Sequence, residues 1–198
     1  MTAQFILASG SSRRRELLDQ MGLKYQVVKA NVDESACPGE APADYVYRIA
    51  AKKAQWVTDK DSSDLPVLAA DTAVVLAGKI LGKPGSSAAA AEMLLSLSGR
   101  SHEVFSAVML VTRSGVESRR LSISQVTFAP LDPVWIAAYC ACAEPLDKAG
   151  AYAIQGFAAR YISRLEGSFS GVMGLPLFES MELLHNAGIQ VLPGINVK

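Results

Sequence analysis

The feature that most constrains the fold is an abrupt switch near the start of the chain. Phe5–Ala8 is an unbroken apolar run, followed at once by Ser9-Gly10-Ser11-Ser12 and then by Arg13-Arg14-Arg15-Glu16-Leu17-Leu18. A short run apolar at every position, rather than at every second one, reads as a strand covered on both faces, and such strands belong to parallel sheets flanked by helices. The residues after the turn follow helical spacing, with Leu17, Leu18 and Met21 on one face and Gly22 as the stop, so the opening is a strand–turn–helix unit. The chain is thereby directed toward the α/β class.

The alternation continues. Tyr25–Val28 reads as a second strand and Asp44–Thr58 as a helix, with Val46, Ile49, Ala50 and Val57 near helical period. Val67–Leu76 reads as a strand that turns at a Gly-Lys pair into a short return strand ending at Pro84. Ser86–Leu97 is a helix, and Glu103–Thr112 and Glu117–Phe128 are long strands joined by a hairpin at Arg113-Ser114-Gly115-Val116. A helix over Asp132–Cys142 has Pro133 at its first position; a strand near Arg160–Leu165 and a helix over Leu177–Asn186 complete the pattern. Parallel units in front and a hairpin in the middle predict a mixed sheet. No linker or repeat interrupts the 198 residues, which are expected to form a single domain over 1–198, with two small lobes sharing a sheet as the other arrangement of that length.

Composition excludes several function classes. Lys and Arg together number 19, as do Asp and Glu, and aromatics make up 7%, a balance unlike that of a general nucleic-acid binder. No apolar run approaches the roughly 18 residues that span a bilayer, and Phe5–Ala8 is too short for the core of a secretory leader. Three cysteines (Cys37, Cys140, Cys142) and two distant histidines (His102, His185) match neither a disulfide framework nor a zinc motif. A reduced cytoplasm is the expected setting, with no membrane and no stable nucleic-acid partner.

Five places carry candidate chemistry. Ser9–Ser12 sits where a strand becomes a helix, so small residues let a ligand approach the free N–H groups of the first helical turn, and arginine adds planar donors suited to phosphate. At about 100° per residue the three arginines fan apart. Arg13, and with it Arg14, is expected to face a ligand while Arg15 meets solvent or a partner. On these residues alone, a phosphate cradle built on Ser9, Ser11, Arg13 and Arg14 and an ordinary solvated helix start both stay open. Asp71-Thr72 lies inside a strand, where an acid is costly unless paired or holding a cation. Asp33-Glu34 follows the second strand and offers the second carboxylate of a hard-cation site. Lys53 and Lys83 can each cover a phosphate, although a solvent-facing lysine is the plainer reading of each. Finally, Glu144–Gly156 (EPLDKAGAYAIQG) gathers Asp147, Lys148, Tyr152 and Gln155 in one loop; a Gln amide suits a nucleobase edge, and Tyr152 either stacks or simply packs.

Taken together, LASGSSRRRELL, VDE, AKKA at Ala51–Ala54, AADT, GKP at Gly82–Pro84, EPLDKAGAYAIQG and GLPL at Gly174–Leu177 stand in the order seen in the Maf family of nucleoside triphosphate pyrophosphatases. The resemblance runs from Phe5 to about Ala187. It implies an elongated mixed β-sheet with flanking helices and two lobes around a central nucleotide-binding cleft, and a homodimer. It also implies metal-dependent hydrolysis (Mg²⁺ or Mn²⁺) of nucleoside triphosphates to the monophosphate and pyrophosphate, a house-cleaning activity. Within the family, DKAGAYAIQG looks like the branch acting on dTTP and UTP, rather than the sister branch acting on 7-methyl-GTP. The resemblance assigns the general base to Asp71 and specificity to Arg13, Thr72 and Gln155. With Glu34 and Asp71 as metal ligands and Lys53 and Lys83 neutralising charge, it yields a coherent expectation. Alternatives are a purine-directed pyrophosphatase and a nucleotide-binding regulator of cell division. One departure stands out: Ser12 occupies the position where the family usually has proline, which implies a slightly freer turn.

Overall fold

The computed structural model describes residues 2–142 and 144–190. Strand β1 (Phe5–Leu7) is the pivot of the sheet. It runs parallel to β2 (Tyr25–Val27) on one side and to β3 (Val67–Leu76) on the other, with Leu7 paired to both Val27 and Leu68. Helix α1 (Ser12–Gln20) connects β1 to β2, and α2 (Pro42–Thr58) carries the chain back across to β3. β3 folds over at Ala77-Gly78 into β4 (Lys79–Leu81), and both turn residues take positive φ, 49° and 78°, as a two-residue hairpin requires. The turn is therefore Ala77-Gly78, one residue earlier than the Gly-Lys pair read from sequence. Beyond β3 the sheet continues antiparallel through β5 (Ser101–Val111), β6 (Glu117–Phe128) and β7 (Ile162–Glu166), in the order β2-β1-β3-β5-β6-β7 with β4 on β3. This is the mixed sheet that the pattern predicts.

Alternation along the strands divides the interior in two. Phe5 and Leu7 of β1, with Leu68, Ala70 and Val74 of β3, pack under α1, α3 (Ser87–Leu97), α4 (Pro133–Cys140) and α6 (Leu177–Asn186). Ile6 and Ala8, with Val67, Ala69, Ala73 and Val75, pack under α2 through Val46, Ala50, Ala54 and Val57. Leu68 is fully buried, and truncating such a side chain to alanine typically costs about 2–5 kcal/mol. The same period of two places Asp71 on the α2 side of the sheet and Thr72 on the other.

The positioning of the site follows from the ends of two short strands. β1 stops pairing with β3 at Leu68, and β4 resumes only at Val74. Among the described residues, positions 69–73 of β3 thus have no strand on that side. It is also where β1 ends, with connections leaving for β2 and β3 on opposite faces, the crevice in which ligands of open α/β sheets gather.

Most predicted boundaries agree with the structure to within a few residues. α2 begins at Pro42, because proline is tolerated in a first turn. α4 ends at Cys140 rather than Cys142, and a 3₁₀ turn at Phe157–Tyr161 delays the last strand to Ile162. A short helix, α5 (Phe169–Met173), lies in a glycine-punctuated stretch left unassigned from sequence; Ser168 caps it by accepting from the Gly171 N–H at 3.0 Å. Among the described residues no helix is long and apolar enough to cross a membrane.

Candidate active site

A cavity of about 750 Å³ opens in that crevice, and its walls include the Ser9–Arg14 turn, Glu34, Lys53, Asp71, Lys83 and the loop from Asp147 to Gln155. Segments far apart in sequence therefore meet in one place.

At the turn, Ser9 is 6% exposed, and its Oγ accepts from the Ser11 N–H at 3.2 Å and from Arg14 Nη1 at 3.1 Å. Ser11 is the N-cap of α1 but makes no side-chain capping bond, so the first-turn N–H groups of α1 remain open to an anion. Helical rotation separates the three arginines. Arg13 donates from Nε to Met173 O at 3.3 Å and reaches Asp147 at 3.9 Å; Arg15 is exposed. Arg14 is buried and donates from Nε to Gly174 O at 2.7 Å, so it ties α1 to the end of α5 as well as lining the cavity. Burial pushes its pKa down, against the pull of Asp71.

The second wall is a chain of alternating charges. Lys53 reaches from α2 to Asp71 Oδ1 at 2.7 Å and to Glu34 Oε1 at 2.7 Å, and Lys83 reaches Glu34 Oε2 at 3.2 Å. Lys53 is 7% exposed, which overturns its reading as solvent-facing. The physical reason lies in the helix period: it falls three and four residues after Ala50 and Ile49 on the buried stripe of α2. Lys83, by contrast, stays largely in solvent. Burial holds the Asp71 carboxyl above its ordinary pKa despite Lys53 and Arg14. Burial also pushes Glu34 upward, but Lys53 and Lys83 outweigh it and leave that carboxyl below its ordinary value. Neighbouring Asp33 also lines the cavity but is exposed and accepts from the Ser35 N–H at 2.9 Å, so within this loop it is Glu34 that meets the two lysines. The strap that fixes this loop was not legible: Tyr45 Oη donates to Glu34 O at 2.9 Å, and Arg48 donates to Ser35 O at 3.0 Å while gripping Glu40 with two nitrogens.

The third wall carries the predicted recognition residues. Thr72 Oγ1 lies 3.0 Å from Ser106 Oγ and 3.4 Å from Gly174 O, so its hydroxyl is already engaged across the sheet. Gly150 has φ of +69°, and a Cβ there would lie 2.9 Å from Val74 Cγ1; the loop is seated directly on β3. Its N–H donates to Gly82 O at 3.2 Å, joining it to the turn that presents Lys83. Asp147 is exposed, and Lys148 donates to Asp147 Oδ1 at 2.6 Å and to Glu144 O at 2.7 Å, which commits its ammonium to the loop itself. Tyr152 lines the cavity and is packed into its wall: it is buried, with its hydroxyl 2.8 Å from His102 Nε2 and its ring edge-on to Phe128. Gln155 is exposed and lines the cavity. Lys29, not singled out from sequence, also lines it; its stem lies over Gly10, where a Cβ would come within 3.2 Å of Cδ. Its place next to the Ser9–Ser12 turn follows from β2 pairing with β1, which no local pattern shows.

A hard divalent cation fits the donors present. Among the described residues no three His, Cys, Asp or Glu side chains gather into a cage. Glu34 and Asp71 nevertheless share one ammonium, and Asp71 Oδ2 is buried with no hydrogen-bond partner. One or two carboxylates completed by substrate phosphates is the coordination that Mg²⁺ prefers.

Comparison with known proteins agrees with this geometry. The family described as Maf-like protein matches residues 4–187. The chain is 51% identical over 197 residues to a dTTP/UTP pyrophosphatase of Nitrosomonas europaea, covering 93% of this chain and 95% of the relative. It is 50% identical over 189 residues to a dTTP/UTP pyrophosphatase of Methylobacillus flagellatus, covering 95% and 94%. Among solved structures, the Ham1 protein of Staphylococcus aureus superposes with a TM-score of 0.51 at 13% identity, covering 92% of this chain and 96% of that one, a likeness of fold.

Proposed function

The chain belongs to the Maf-like protein family, and from that premise we propose that it hydrolyses nucleoside triphosphates, dTTP and UTP foremost, to the monophosphate and pyrophosphate. The observation that carries this reading is that the Ser9–Arg14 turn and the Asp71–Lys53–Glu34–Lys83 array open into one cavity. In the reaction, a water oxygen bonds to the α-phosphorus, the α–β bridging P–O bond breaks, and pyrophosphate leaves with the electron pair. Asp71 takes the proton from the attacking water: Lys53 holds Oδ1, and Oδ2 is buried without a hydrogen-bond partner. The open N–H groups of α1 and Arg13 hold the phosphates, and Lys83 meets charge that develops on the leaving group. Glu34 and Asp71 would hold the divalent cation, Mg²⁺ or Mn²⁺, which when bound supplies charge neutralisation and Lewis acidity.

Gln155 presents its amide to the pyrimidine edge, and Thr72 fixes the wall behind it. A homodimer in solution, which the resemblance to the family implies, is a second element of the proposal. The test is a product assay across dTTP, UTP, CTP, ITP and 7-methyl-GTP, with Mg²⁺ or Mn²⁺ and with EDTA. Pyrophosphate released fastest from dTTP and UTP, and abolished by EDTA, is the expected result. Tight dTTP binding without any release would favour a regulator instead, and faster release from ITP or 7-methyl-GTP a purine-directed enzyme.

A further inference from the structure

Resting on the reading of the Ser9–Ser12 turn as the seat of the phosphates, we infer that Lys29 is a further substrate-binding residue, a cation held at the turn to take the phosphate chain of the nucleotide. The problem it addresses is one of charge. A triphosphate brings several negative charges into the cavity, and most cations that line it already serve groups of the protein. Arg13 is shared with Met173 O and Asp147, Arg14 with Gly174 O and Ser9 Oγ, and Lys53 with Asp71 and Glu34. Lys83 meets Glu34, and Lys148 is committed to Asp147 and Glu144 O. Lys29 lines the same cavity, and among the described residues its side chain makes neither a hydrogen bond nor an ion pair. Its three N–H donors are therefore free for an anion that enters.

The backbone sets this placement. Just past β2 the Val28 N–H donates to Leu7 O at 3.0 Å, so Lys29 leaves the sheet beside the start of the turn. Its stem then runs along Gly10: a Cβ built on that glycine would lie 3.3 Å from Cγ, 3.2 Å from Cδ and 3.5 Å from Cε. The lack of a side chain at Gly10 is what leaves room for the stem at this distance. The ammonium lies one bond of about 1.5 Å beyond Cε, hence within roughly 5 Å of the same point. The turn also carries the first N–H groups of α1, which are open because Ser11 makes no side-chain capping bond. An anion seated on those amides thus has an uncommitted ammonium at close range. Lys29 is exposed, so its ammonium can follow the phosphates as a point charge, a use that suits lysine better than the fixed fork of arginine.

The experiment compares the full-length wild type with Lys29→Met, Lys29→Gln and Lys29→Arg. Lys24→Met, at an exposed lysine outside the cavity, serves as the control for net charge. Two quantities are read: KM and kcat for dTTP with Mg²⁺, and calorimetric binding of inorganic tripolyphosphate in Mg²⁺ and again in EDTA. Lys29→Met and Lys29→Gln are expected to raise both KM for dTTP and Kd for tripolyphosphate by roughly 10-fold, with kcat nearly unchanged. The loss narrows as salt is added, Lys29→Arg restores most of the affinity, and Lys24→Met alters neither quantity. Equal effects of Lys29→Met and Lys24→Met would reduce Lys29 to general surface charge and overturn the proposal. Unchanged KM and Kd, or a fall in kcat alone, would overturn it as well. A wild type that binds tripolyphosphate yet leaves dTTP uncleaved would remove the hydrolytic reading, with Lys29 still judged by its tripolyphosphate Kd. A wild type that cleaves dTTP yet binds tripolyphosphate in neither buffer would overturn the role of Lys29 and leave hydrolysis standing.

Discussion

Replacing Lys53 by methionine isolates the electrostatics of the site. The substitution keeps the length of the side chain and removes the ammonium that contacts both Asp71 Oδ1 and Glu34 Oε1 at 2.7 Å. Asp71 then keeps a buried carboxylate without its ion-pair partner, with only the field of Arg14 left to it, and removing one partner of a buried pair costs about 3–5 kcal/mol. The protein can avoid much of that cost by protonating Asp71. Burial already holds its folded pKa above the ordinary 3.8, and loss of Lys53 beside a like-charged Glu34 raises it further. A carboxyl with a raised folded pKa contributes stability that is fully present below its unfolded pKa and is lost as pH rises through the folded value. The destabilisation by Lys53→Met is accordingly smallest at acid pH, where Asp71 is protonated in both states, and grows as pH rises through neutrality. Urea denaturation of both proteins across that range, without nucleotide or metal, reads the difference directly. An equal difference at every pH would refute the coupling of Lys53 to Asp71.

Two further outcomes follow from buried groups elsewhere. Burial pushes the His102 pKa down to about 4 from 6.5, so the stability it contributes is complete above pH 6.5 and is lost as pH falls toward 4, by up to about 3 kcal/mol; an imidazole NMR titration with a midpoint near 6.5 would contradict this. Gly150→Ala places a methyl against Val74 at a φ of +69°, and is expected to destabilise the protein by about 2–4 kcal/mol while unseating the Gln155 loop, read as a lower Tm together with a raised KM for UTP.

What the sequence made legible was local. The apolar run at Phe5–Ala8, the helical period of α2 and the strand at β3 follow from spacing alone, but which face of the sheet α2 covers, and so the meeting of Lys53 with Asp71, does not. Reading Lys53 as solvent-facing treated residue type as stronger than its place on the buried stripe. What stayed hidden was contact between segments distant in sequence. Arg14 meets Gly174 across 160 residues, and Lys29 comes to lie on Gly10 only because β2 pairs with β1. Glu144 was visible as one acid in a motif, yet its bonds to Tyr139 Oη and the Phe157 N–H were not. The α5 helix was missed because five residues among glycines carry too little period to stand out.

The most direct test of the account is the rate of pyrophosphate release from dTTP by Asp71→Asn, measured at saturating substrate and metal alongside nucleotide binding and thermal unfolding. With Asp71 taking the proton from water, kcat is expected to fall by roughly 10²- to 10⁴-fold, with dTTP still bound and the fold retained. An Asp71→Asn enzyme that keeps a substantial part of the wild-type rate would contradict the account.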